Sequence, residues 1–66
     1  MILTINGKTT DYAEQLTVAQ LLMRLKLKPS QVVVELNRNI LTPDLHDNTN
    51  LSDGDSLELV QFVGGG

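Results

Sequence analysis

Sixty-six residues make one domain at most, and a chain that short buries only about 60% of the surface its unfolded form exposes. It contains no cysteine, which excludes disulfides, thiolate metal sites and any thiol nucleophile of its own. The net charge of −3 lacks the basic stripe of a nucleic-acid binder. No apolar run is long enough to span a bilayer, and no secretory or lipidation signal opens the chain, so a cytoplasmic protein without membrane or nucleic-acid partners is expected.

In Met1–Ile5 the apolar residues Met1, Leu3 and Ile5 alternate with Ile2 and Thr4, which is strand periodicity. Asn6-Gly7 is the strongest short hairpin signal, because a type I′ turn needs positive φ at both central positions. Lys8–Tyr12 returns as a more polar strand suited to an edge.

Thr17 and Gln20 form a capping box at the start of a helix, with Leu16 and Leu21 placed as a hydrophobic staple. Val18, Leu21, Leu22 and Leu25 recur at helical spacing and make one apolar stripe. Arg24, Lys26 and Lys28 are read as favourable charges at the helix's C-terminal end rather than as a phosphate patch. Pro29 is expected to stop the helix by disfavouring helical geometry at Lys28.

Gln31–Leu36 is rich in β-branched residues and reads as a third strand. Asn37-Arg38-Asn39 supplies a turn, since asparagine tolerates left-handed geometry. A short extended piece at Ile40–Leu41 follows. The stretch 44–55 is expected to be irregular, with Leu45 and Leu51 anchored in the core. His46, between Asp44 and Asp47, is expected to be a surface loop residue, because one imidazole without a second or a thiolate is weak evidence of a metal. Asp53-Gly54-Asp55 reads as a tight turn, and Ser56–Val63 as the last strand.

One helix and one sheet leave a single way to bury the helix stripe: the helix must cover one sheet face. The compact arrangement is an α+β, ubiquitin-like β-grasp fold, a mixed sheet of four or five strands with its first and last strands adjacent and parallel. Residues 1–63 are expected to form this domain, and 64–66 a flexible glycine tail. Leu57 and Leu59 then face the helix, while Val60 and Phe62 point away from it, joined there by Ile2 and Val33. Val60, Phe62 and the adjoining Val63 are the expected docking residues for a partner. Glu35, Glu58 and the loop aspartates are either an acidic collar for a basic partner or solvated surface.

Gly64, Gly65 and Gly66 lack Cβ atoms, so they can thread a narrow channel, and three residues reach about 10 Å at roughly 3.3–3.6 Å each. The group they deliver is the α-carboxylate of Gly66. The chain has no phosphate-binding loop and no base–nucleophile pair, so it cannot activate that carboxylate itself. It reads as a carrier and co-substrate rather than an enzyme, with no bound metal or cofactor.

The Asn6-Gly7-Lys8 turn, the segment Val32–Asn37 (VVVELN) and the ending Asp53–Gly66 (DGDSLELVQFVGGG) resemble the ThiS family of sulfur carriers of bacterial thiamin biosynthesis, essentially end to end. The family typically finishes on two glycines and this chain on three, which leaves the chemistry on the last. The resemblance implies that a ThiF-type enzyme uses ATP and magnesium to adenylate Gly66. Sulfur from a cysteine desulfurase then leaves a thiocarboxylate there, which a ThiG-type thiazole synthase consumes. The small subunit of molybdopterin synthase is similar in fold and ending and stands as the alternative. So does a non-covalent ubiquitin-like module whose glycines are idle.

Overall fold

The computed structural model describes residues 1–62. Five strands form one sheet: β1 (Ile2–Ile5), β2 (Lys8–Asp11), β3 (Val32–Leu36), β4 (Asn39–Leu41) and β5 (Ser56–Gln61), in the spatial order β2-β1-β5-β3-β4. β1 and β5 run parallel at the centre, and the other neighbours are antiparallel. One helix, α1 (Val18–Arg24), covers one face. This is the β-grasp arrangement expected from the element order.

Pattern dictates the core. On β5, Leu57 and Leu59 are buried while Glu58 and Val60 are exposed. Val34 of β3 lies opposite Leu59 and is buried with it. From the helix side Val18, Leu21 and Leu22 meet them, each fully buried. Removing a side chain as large as Leu21 from such a site leaves a cavity and costs about 2–5 kcal/mol. Both capping-box hydrogen bonds are present, Gln20 N–H to the Thr17 hydroxyl at 3.1 Å and Thr17 N–H to the Gln20 side chain at 2.9 Å.

Several expectations need correction. The helix does not run to Pro29. It ends at Arg24, because Lys26 adopts φ 60 and closes a Schellman motif, with Leu27 N–H bonded to Leu22 C=O at 2.9 Å and Lys26 N–H to Met23 C=O at 3.1 Å. Leu25 consequently leaves the buried stripe and is 38% exposed. Pro29 opens a 3-10 turn, Pro29–Gln31, instead.

The stretch 44–55 is irregular only beyond Asn48. Pro43–Asn48 forms a 3-10 helix, and its pitch turns Leu45 outward, 46% exposed, and His46 inward, 2% exposed. His46 thus takes the core position expected of Leu45, and is not a surface residue. Its Nε2–H donates to the Leu41 carbonyl at 3.3 Å. Leu51 is buried as expected, tied by its N–H to Leu16 C=O at 2.8 Å.

Candidate functional site

Among the described residues, the sheet face opposite α1 carries no second layer. Val60 (55% exposed) and Phe62 (46%) lie on it, as their alternation with Leu57 and Leu59 requires. Register places Val33 directly opposite Val60, and the face also holds Ile2, on the same side of β1 as Thr4, which pairs with Ser56. Ile40, opposite Glu35 on the edge strand β4, extends the apolar surface and is exposed. Sequence reading missed Ile40. Its signal was available, since strand register with Glu35 puts it on the open face.

Glu58 and Glu35 are direct cross-strand partners on the same face. Like charges placed opposite each other oppose sheet pairing, so the open face combines an apolar strip with a concentrated negative charge. The end of β5 is held from the β3 side, where Phe62 N–H donates to Gln31 C=O at 3.1 Å. The open face therefore abuts the point at which the described chain stops. Val63, Gly64, Gly65 and Gly66 lie outside the described residues.

Asp53 and Asp55 are occupied with the fold rather than with a ligand. Gly54 adopts φ 90, and the turn is closed by Asp55 N–H on Ser52 C=O at 3.0 Å. Asp53 Oδ1 accepts from Ile2 N–H at 2.6 Å, and Asp55 accepts from Ser52 N–H at 2.8 Å and from the Asn37 side chain at 3.0 Å. Among the described residues no group of three or more potential metal ligands converges. Arg24 is engaged by Glu14, and the two border a shallow cleft of about 370 Å³ on the helix side, away from the open face. No described helix is long and apolar enough to cross a membrane.

The model of the ThiS family matches residues 3–66. The sulfur carrier protein ThiS of Bacillus subtilis is 35% identical over 66 residues, covering 98% of this chain and 100% of that protein. A thiazole synthase of Paramagnetospirillum magneticum is 38% identical over 66 residues, all of this chain but 20% of that protein. The chain thus spans about one fifth of the thiazole synthases that it matches. The crystal structure of the thiamine biosynthesis protein ThiS from Geobacter metallireducens superposes with a TM-score of 0.84 at 43% identity, covering 100% of both chains. The NMR structure of a thiamine biosynthesis protein from the same organism gives a TM-score of 0.81 at 46% identity, over 100% of this chain and 88% of that one.

Proposed function

The chain belongs to the ThiS family, and from that premise we propose that it carries sulfur for thiamin biosynthesis, with the sulfur on the α-carboxylate of Gly66. The observation that carries this reading is a family match that continues through the terminal glycines to residue 66. A carboxylate is inert toward sulfur until its oxygen is activated. In the proposed sequence it attacks the α-phosphorus of magnesium-bound ATP in the active site of a ThiF-type enzyme, and pyrophosphate leaves. The outer sulfur of a cysteine desulfurase's persulfide then attacks the acyl carbon and AMP leaves. A thiol cleaves the resulting acyl disulfide, releasing the thiocarboxylate and forming a disulfide with the desulfurase cysteine. The chain is the co-substrate in these steps. ATP and magnesium belong to the activating partner.

Thiazole synthase is the proposed acceptor. Two thiazole synthases contain a segment similar to the whole of this chain, which supports that pairing. Val60 and Phe62, with Val63, form the proposed docking surface, since an exposed apolar strip beside the last strand lets a partner grip the domain while receiving residues 64–66 as a tail. We place the protein in the cytoplasm with the enzymes of this sequence.

Intact-mass measurement tests the chemistry. Incubation with the adenylating enzyme, ATP, magnesium, cysteine desulfurase, cysteine and a thiol reductant is expected to exchange one oxygen for sulfur at the C-terminus. The loaded protein is then mixed with thiazole synthase and, separately, with the large subunit of molybdopterin synthase. Absence of the exchange would overturn the carrier site, and sulfur transfer to the second acceptor alone would overturn the thiazole pairing. For docking, Phe62→Glu is expected to raise KM for activation roughly tenfold, as loss of an aromatic anchor does. As a surface change it should move stability by no more than about 0.5 kcal/mol. A large fall in melting temperature would instead assign Phe62 to the fold.

A further inference from the structure

We infer that Asn6 is a positioning residue for the end of β5: its side-chain amide fixes the last part of that strand and so pre-organises the end at which the activating partner grips the domain. This role rests on the activation of Gly66 proposed above. The β1–β5 ladder advances through Thr4 N–H on Asp55 C=O at 3.0 Å and Asn6 N–H on Leu57 C=O at 2.9 Å. The next rung would need another residue of β1, but the backbone turns away there, at Asn6 (φ 50) and Gly7 (φ 81). The Asn6 side chain supplies the rung instead. Its Oδ1 accepts from Leu59 N–H at 2.7 Å, and its Nδ2 donates to Leu59 C=O at 3.2 Å.

A primary amide offers one acceptor and two donors, so it stands in for a peptide group at the place where the strand has run out. Turn geometry alone does not call for this residue, because asparagine, aspartate and glycine all serve at the first position of a type I′ turn. Only asparagine among them brings both a donor and an acceptor. Aspartate would present an acceptor to the Leu59 carbonyl, and glycine would present nothing. Leu59 is the last residue of β5 held from the β1 side among the described residues, while Phe62 is held from the other side by Gln31.

Fixing the end of β5 in advance lowers the conformational freedom that must be lost when a partner binds there, so the effect falls on binding rather than on the chemical step.

The experiment measures KM and kcat for ATP-dependent thiocarboxylate formation, well below the melting temperature, with Asn6→Gly, Asn6→Asp and Asn37→Gly. Both glycine variants keep a left-handed turn and lose a side-chain clamp on β5, but Asn37 acts at Ser56, the opposite end of that strand. Asn6→Gly is expected to raise KM roughly three- to tenfold with little change in kcat, since ordering of the end of β5 must then occur on binding. Asn37→Gly is expected to keep the wild-type KM. Asn6→Asp, which retains the acceptor for Leu59 N–H, is expected to fall between wild type and Asn6→Gly, and it carries the test should the glycine variant fail to fold. A wild-type KM in folded Asn6 variants, or an equal rise in Asn37→Gly, overturns the positioning role alone. Wild-type protein that never gains sulfur overturns the Gly66 reading itself.

Discussion

The β1–β2 hairpin turns through Asn6 (φ 50) and Gly7 (φ 81), and the β3–β4 hairpin through Asn37 (φ 50) and Arg38 (φ 72). Each joins strands by a two-residue loop, with Ile5 opposite Lys8 in one and Leu36 opposite Asn39 in the other. Each uses its asparagine twice, once for left-handed backbone and once to reach β5. Asn6 grips Leu59 near the end of β5. Asn37 grips its beginning, where Ser56 N–H donates to Asn37 Oδ1 at 2.9 Å and Asn37 Nδ2 donates to Asp55 at 3.0 Å. The central strand is thus clamped at two places by residues whose local task is only to turn the chain. The hairpins part company at their second residue, where one has the glycine that the geometry favours and the other an arginine.

The largest effect expected from breaking this pair is Asn37→Ala. Alanine must adopt φ near 50 at a cost of about 1–2 kcal/mol, and two exposed side-chain hydrogen bonds worth about 0.5–1.5 kcal/mol each are lost with it. Their exposure places the bond contribution at the low end, so a total of about 2 kcal/mol is expected, lowering the melting temperature by roughly 10 °C in a domain this small. Thermal unfolding followed by circular dichroism measures it. Asn37→Gly, which keeps the backbone at ease, should recover about half of the loss. If alanine and glycine destabilised equally, the clamp and not the turn would be what asparagine contributes at this position.

The same comparison marks how far the sequence could be read. Asn6-Gly7, the Thr17–Gln20 capping box and the alternation in β5 are local signals whose chemistry is complete within a few residues, and the structure has each where expected. The exposure of Val60 and Phe62 on the open face followed from that alternation once the helix was assigned to the other. What stayed hidden depends on distant partners or on conformations that residue type does not announce. Asn6 and Leu59 are 53 positions apart, and a turn signal already accounted for the asparagine. Lys26 ends the helix in a conformation usually left to glycine, so Pro29 was the visible stop and the wrong one. His46 reached the core through a 3-10 pitch that alternation rules do not describe.

Arg38→Gly is expected to give the smallest effect, and of the opposite sign. Arginine at φ 72 carries about 1–2 kcal/mol of left-handed strain. Glycine relieves it, although the freedom glycine gives the unfolded chain takes back about 0.5–1 kcal/mol. A net gain of about 0.5 kcal/mol, or roughly 2–4 °C in melting temperature, would make the second hairpin as comfortable as the first. Because Asn37 and Arg38 sit beside Ser56, at the far end of β5 from Phe62, thiocarboxylate formation should not change with it. A fall in stability would show that the guanidinium supports the fold. A stabler protein that is loaded less well would mean that the strain is retained for contact with the activating enzyme, and that both ends of β5, not one, meet that partner.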